Sequence, residues 1–352
     1  MNALPLTPEH WLHPAIHPVY ARLVCAELRR RGFSEADITA GTRLDWEALH
    51  SDNRFLSFEQ FRRLVAHALA LSGCPWLGLE VGINAQLSLH GALGQAVAAS
   101  SSVEEALLLC QRYMPLRQRI FGVSIEAGDP VCIVAAEQIE VPDLREFMLG
   151  YLTATLVRLM EAVTGQPLQD EFAIEWPFPE PAWAEQYRRL AIRNSFGHGH
   201  LRAKVSATLL QRRSLSADPE ARRVAERECE RQLKVQQQGG NLTQRIQQRL
   251  ASCQGAYPGI VDIAADENVS SRTLIRHLRD EGTTYQQLLD TVREELACWL
   301  LLQSDLPVEA IAERLGYEDT SNFSRTFRRW VGVTPRDFRA SAPIPADASR
   351  LP

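Results

Sequence analysis

A chain of 352 residues, 45% hydrophobic and 23% charged, has the length of two domains and is too apolar for a disordered or collagen-like polymer. The net charge of −5 excludes a polycation, so contact with nucleic acid would have to come from a local basic face. No apolar run is read as reaching the ~20 residues of a membrane span, and the N-terminus lacks the basic start and apolar core of a signal peptide. Cys25, Cys74, Cys110, Cys132, Cys229, Cys253 and Cys298 are scattered with no C-x-x-C pair, which reads as reduced thiols in a cytoplasmic protein.

Taken along the chain, 14–31 shows apolar residues at helical spacing (Val19, Leu23, Ala26, Leu28) and stops at Gly32. Ser57 is placed to cap a second helix whose inner face carries Phe58, Phe61, Leu64, Val65, Ala68 and Leu71, closed by Ser72–Gly73. Two further helices are predicted over 94–99 and 103–113. Runs of β-branched residues at 120–125 and 131–136 flank Gly128–Asp129–Pro130, the pattern of a β-hairpin. A long apolar helix over 147–164 ends at Gly165, and strands are predicted over 172–178 and 199–205. This part is a helix-rich α+β domain over 1–213.

A turn-rich stretch from Ser214 to Pro219 opens the seam. A charged helix, 220–234, follows, and then Gln236–Gln237–Gln238–Gly239–Gly240–Asn241. Residues 214–240 therefore read as a linker helix with a flexible end. Residues 241–340 read as helices only, an all-α domain, with 341–352 as a disordered tail.

Within 241–340 the sequence repeats. Ile263–Ala264 recurs as Ile311–Ala312, a shift of 48; Leu274, Arg276 and Leu278 recur as Phe323, Arg325 and Phe327, a shift of 49; Gly282, Thr284 and Leu288 recur as Gly332, Thr334 and Phe338, a shift of 50. Two copies of a helix–turn–helix unit account for this. In the first, Asn268 suits a left-handed turn, Ser270 or Ser271 caps the second helix, and Leu274 and Leu278 face inward. In the other, Pro307 starts the first helix, Gly316 makes the turn, and Asp319 or Thr320 caps the second, which buries Phe323, Phe327 and Trp330. No acid occurs between Thr320 and Trp330. The helix over 285–303 joins the two as a spacer. Such a pair of second helices can present arginines to the edges of bases in successive major-groove segments.

These residues resemble the DNA-binding domain of the AraC/XylS family of transcription regulators. The likeness is carried by Ser270–Leu278, Ala312–Tyr317, Ser321–Trp330 and Gly332–Arg339, with Arg293, Ala297 and Leu300–Leu301 matching the central helix. It implies base-facing positions at Arg272, Ile275 and Arg276 in the first unit and at Thr320, Ser321, Asn322, Ser324 and Arg325 in the second. Arg279, Arg328 and Arg329 then face phosphate. Glu267 departs from the apolar residue usual there and is expected to weaken packing of the first unit. Gly91–Ala92–Leu93–Gly94, Glu105–Ala106–Leu107, Arg112–Tyr113 and 209–219 resemble the ligand-sensing domain of the ornithine-utilisation-regulator type of that family.

The function implied is a sequence-specific regulator that binds double-stranded promoter DNA, controlled by a small-molecule effector in a ligand-sensing and dimerisation domain. Its partners would be a second copy and, for an activator, RNA polymerase. An N-terminal domain that only dimerises, or one carrying an enzyme, are the rival readings. No G-x-S-x-G, Walker or G-x-G-x-x-G motif supports the enzyme. His198–Gly199–His200 and His10, His13 and His17 lack accompanying acidic or thiolate ligands, so no metal and no cofactor is expected.

Overall fold

The protein is described from a computed structural model over residues 14–340, apart from 43, 48, 50–54, 140, 142, 215, 238–239 and 254. It forms two compact units: the described residues through Gln237 belong to the first, those from Gly240 to the second. The tail reading for 341–352, and the parts of the linker and histidine readings that fall on Gln238, Gly239, His10 and His13, lie outside the described residues.

The first unit begins with β1 (Pro14–Ile16), which pairs with β2 (Leu56–Ser57). Between them lie α1 (Pro18–Arg30) and α2 (Glu35–Thr39). His17, one of the histidines weighed as a metal ligand, caps α1 instead: its Nδ1 accepts the Val19 N–H at 3.1 Å. Ser57 caps α3 (Phe58–Ser72) in a reciprocal box with Gln60, and Gly73, at φ +58°, ends it in the left-handed region. Then follow α4 (Leu77–Ile83), α5 (Gly91–Ala98) and α6 (Val103–Tyr113), the last capped by Ser102. Gly91 to Gly94 belongs to α5, three residues more than its apolar spacing predicts.

Strands β3 (Phe121–Glu126) and β4 (Val131–Glu137) form the expected hairpin. After α7 (Arg145–Thr164) come β5 (Gln169–Glu175), β6 (Ile192–Ser195), β7 (Leu201–Val205) and the short α8 (Ala207–Leu210). The five strands lie in the order β3-β4-β7-β5-β6. Ala203 of β7 pairs with Ile133 on one side and Ile174 on the other, while β6 joins the edge parallel to β5. The strand predicted at 172–178 begins three residues earlier, at Gln169, and beyond Glu175 the backbones of Trp176 and Phe178 still bond to Ser195, Gly197 and His198 beside β6. The Trp176 indole is fully buried and donates to Asn194 Oδ1 at 2.9 Å.

Helix α7 is largely apolar and mostly buried, with its charged residues Arg145, Glu146, Arg158 and Glu161 near its two ends. By length and composition it is apolar enough to cross a membrane, a point the sequence reading missed, and 67% of its most apolar stretch is buried inside the protein. It meets α4 at very close range. An ideal Cβ on Gly78 would lie 2.1 Å from the Phe147 carbonyl oxygen, and one on Gly82 would lie 2.6 Å from the Ala154 Cβ. The glycines let the two backbones touch.

The charged stretch after Pro219 is helical, as expected: α9 (Pro219–Gln237) belongs to the first unit and is docked on it. Ala225 and Cys229, four residues apart, are buried. Around them Arg112 pairs with Glu230 at 2.6 Å, Arg222 with Glu105 at 3.2 Å, and the Tyr113 hydroxyl donates to Glu230 at 2.5 Å. Gln236, read as flexible, donates to the Pro115 carbonyl at 2.8 Å. Two small apolar residues one turn apart suffice to seat an otherwise charged helix.

The second unit is all helix, as expected: α10 (Leu242–Ala251), α11 (Ile260–Asp266), α12 (Ser271–Asp280), α13 (Tyr285–Gln303), α14 (Val308–Arg314), α15 (Thr320–Val331) and α16 (Pro335–Ala340).

Candidate nucleic-acid interface

Each half of the repeat is a short helix, a left-handed turn and a longer amphipathic helix. In the first half, Ile263 and Ala264 of α11 are buried, Asn268 sits at φ +55°, and Ser270 Oγ accepts the Thr273 N–H at 3.2 Å. The open choice of cap is thus settled for Ser270 over Ser271. In the second half, Ile311, Ala312 and Leu315 are buried, Gly316 sits at φ +74°, and Asp319 Oδ1 accepts the Asn322 N–H at 2.6 Å. Asp319 is the cap, and Thr320 is the first helical residue. Asn268 and Gly316 stand four residues after Ala264 and Ala312, so they are the same turn position filled by two residue types that tolerate positive φ.

The inner faces are Leu274 and Leu278 on α12, and Phe323 and Phe327 on α15, all at most 1% exposed. Trp330 is half-buried and packs edge-on to Tyr317 at 6.4 Å. The outer faces carry the residues singled out from the sequence. On α12, Arg272, Ile275, Arg276 and Arg279 are exposed, and their spacing of three, four and seven residues places them on one stripe. On α15, Ser321, Asn322, Arg325, Arg328 and Arg329 are exposed, with Thr320 and Ser324 half-buried at the border. Among the described residues, none of the six guanidiniums of Arg272, Arg276, Arg279, Arg325, Arg328 and Arg329 makes an ion pair or a hydrogen bond. Arg314 and Arg336 make none either, so what sets these six apart is that they stand together on the outer faces of α12 and α15, while other arginines of the unit serve structure.

Three such structural cations hold the scaffold. Arg245 of α10 grips Glu267 with contacts of 2.5 to 3.1 Å, which overturns the expectation that Glu267 loosens the first unit. Where an apolar residue is usual, this chain has an acid with a cation waiting on the neighbouring helix, a partly exposed pair worth up to ~1 kcal/mol. Arg293 of α13 lies between the rings of Tyr257 and Tyr317, 4.7 and 5.1 Å from their centroids. One cation on the spacer helix thereby touches the entrance to the first unit and the turn of the second. Arg339 of α16 donates to the carbonyls of Leu301, Ser304 and Leu306 at the C-terminal end of α13. There its charge also meets the negative end of the helix dipole. The sequence flagged Arg293 only through family likeness. The aromatic residues that trap it, Tyr257 and Tyr317, lie far along the chain on either side and give no local signal.

Gly316 is where this scaffold is least tolerant. A Cβ there would lie 2.3 Å from the Gly255 carbonyl oxygen, and the backbone is left-handed. Gly316→Ala is expected to cost about 2–3 kcal/mol, combining positive-φ strain with overpacking. Urea unfolding should show a lower midpoint for Gly316→Ala than for Asn268→Ala, where only the φ strain applies; equal midpoints refute the contact argument.

Two helix–turn–helix units on one helical scaffold, each with an unpaired basic stripe on its second helix, define a DNA-binding transcription regulator. Comparison with known proteins agrees. Residues 32–214 match the arabinose-binding domain of AraC transcription regulator, N-terminal, and residues 263–341 match a helix-turn-helix domain. The chain is 32% identical over 322 residues to the ornithine utilization regulator of Pseudomonas aeruginosa, covering 91% of this chain and 95% of that one. It is 44% identical over 102 residues to the transcriptional regulator VqsM of the same organism, covering 29% of this chain and 31% of that one. Among solved structures, the transcriptional regulator CdpR from Pseudomonas aeruginosa aligns with a TM-score of 0.46 at 25% identity, covering 92% of this chain and 98% of that one. The chain belongs to the AraC family of transcription regulators.

Proposed function

We propose that this regulator reads promoter DNA through α12 and α15 and is controlled by a small-molecule effector held in its first unit. Arg272, Ile275 and Arg276, and Thr320, Ser321, Asn322, Ser324 and Arg325, face bases. Arg279, Arg328 and Arg329 grip phosphate. The observation that carries this reading is the six arginines grouped on the two exposed stripes, none with an ion pair or hydrogen bond among the described residues. Phosphate contacts release counterions, so they set salt dependence, whereas base contacts set preference. Changing Arg328 or Arg329 to alanine therefore weakens binding to every sequence alike and lowers the slope of log affinity against log salt by about one. Gel-shift titrations at several salt concentrations measure it; an unchanged slope in both variants removes the phosphate assignment.

The match of 32–214 to a sugar-binding sensor family supports effector control of this non-enzymatic, cytoplasmic protein. The effector is sought by measuring operator affinity with and without metabolites; affinity that no effector changes rejects that control. The working form is read as a homodimer joined through 1–240, because one chain reads one site and paired subunits read repeated sites. Residues 241–352 should sediment as a monomer; a stable dimer of that fragment overturns the placement. A relative that covers 29% of this chain is named a transcriptional activator, RhrA of Rhizobium meliloti, which favours activation and hence contact with RNA polymerase.

A further inference from the structure

A partly open cavity of about 70 Å³ lies in the first unit, between α1, α5, α6, the Met114–Arg117 segment and α7. Leu87, Leu93, Val97, Leu156 and Leu159 make its wall apolar. Into this wall are set polar atoms that nothing among the described residues satisfies. His90 is 7% exposed and its Nε2 has no partner; Tyr151 is 1% exposed and its hydroxyl has none. Thr155, one turn along α7, stands beside the Tyr151 hydroxyl without reaching hydrogen-bond geometry, and its own hydroxyl is likewise unsatisfied. Each such buried group costs about 1–3 kcal/mol unless something bonds to it.

The charge of the cavity has one sign. Arg117, 5% exposed, is the charged side chain of the lining, and no aspartate or glutamate lines it among the described residues. One guanidinium nitrogen of Arg117 donates to the His90 carbonyl, which anchors the cation at the wall. Burial, and then Arg117, push the His90 imidazole down to about 4, so it is neutral at physiological pH and adds hydrogen-bonding capacity without charge.

We propose that this cavity is the effector site and that it takes a small apolar molecule bearing one carboxylate, its hydrocarbon against the leucines and its carboxylate toward Arg117, Tyr151 and His90. This rests on the effector-controlled reading above and names the class of molecule. An apolar cavity with a few convergent donors is the usual construction of a small-molecule site, and a guanidinium with hydroxyl donors matches a carboxylate's four acceptor positions. The site also has a path outward. The wall elements α5 and Met114–Leu116 are the ones on which α9 is seated, and Gln236 near the end of α9 is bonded to Pro115. A ligand that orders this wall therefore orders the seat of the helix from which the chain runs on to the second unit.

The test uses the full-length chain with hexanoate, octanoate and phenylacetate, each against its matched alcohol and amine. Thermal-shift titration measures affinity, and amide hydrogen exchange maps the protected segments. At least one carboxylate should raise the melting temperature and slow exchange at 87–97 and 151–159, and its alcohol and amine should bind roughly tenfold more weakly or not at all. Tyr151→Phe removes a hydroxyl that makes no bond and so leaves packing intact; it should weaken the carboxylate severalfold, and Arg117→Met should weaken it by about tenfold or more. If Arg117→Met does not fold, Tyr151→Phe and the carboxylate-to-alcohol ratio decide. Equal binding of alcohol and carboxylate overturns the ligand class, and no protection at 87–97 and 151–159 by any probe overturns the site. A carboxylate that fills the cavity without changing operator affinity upholds the pocket and defeats effector control, so the two failures are told apart.

Discussion

Arg325→Ala should lose sequence preference at one block of the operator and keep it at the other. Arg325 stands on the exposed stripe of α15, two residues from the buried Phe323 and Phe327 on either side, and makes no bond within the described protein. Its planar fork is free to meet a guanine edge with two hydrogen bonds, each good pair being worth about 1–3 kcal/mol of discrimination. Arg276 holds the matching position on α12. Because α13 joins the two units in one scaffold, a single chain should protect two short blocks on one face of the duplex, about 10 bp apart. The doubt over Glu267 would have ranked Arg276 behind Arg325, but the Arg245 pair braces the first unit, so Arg276→Ala should cost about as much at the other block. Footprinting of the wild type and both variants decides; full sequence preference in both removes the major-groove placement of α12 and α15.

The largest loss of stability is expected from Gly78→Ala. Helix propensity alone favours the change by about 1 kcal/mol, since alanine is the best helix former and glycine among the poorest. Against that, the new Cβ would lie 2.1, 2.8 and 2.9 Å from the carbonyl oxygen, carbonyl carbon and Cα of Phe147, all backbone atoms of α7 that cannot rotate away. The helices must separate, opening the packing around Leu77, Leu79 and Met148, which are at most 1% exposed. Overpacking of this kind outweighs propensity, for a net cost of about 3 kcal/mol and a melting temperature lower by roughly 10 °C. Gly199→Ala, where a Cβ meets nothing within 4 Å and the backbone is not left-handed, is the control. Melting curves of the two variants check it, and coincident curves would show that α4 and α7 are not held at this distance.

What could be read from the residues in order was whatever depends on neighbours in the chain. Ser57 with Gln60, Ser102, Gly73 and Gly165 mark helix ends because caps and left-handed stops are satisfied within four residues. The second domain was legible almost entirely, including the outward stripes of α12 and α15, because helical periodicity separates Phe323 and Phe327 from Arg325 with no help from the rest of the fold. The repeat then located these two amphipathic helices twice over.

The remainder depends on partners far away in sequence. Leu77–Ile83 has glycines at Gly78 and Gly82, which argue against a helix in isolation; it is helical because those glycines are where α7 crosses. Ile192–Ser195 is too short to show a strand period and pairs only because β5 offers it an edge. The 220–234 stretch reads as solvated because charge dominates it, yet Ala225 and Cys229 seat it on the first unit. Glu267 looked like a defect until Arg245 was brought beside it, and the cavity walled by Tyr151, His90 and Arg117 gathers residues from four separate segments. Local order, caps and amphipathic faces are properties of the chain, fixed by hydrogen bonds and burial over one or two turns. Close helix crossings, ion pairs between helices and cavities belong to the tertiary structure, since their energies exist only once distant segments are in contact.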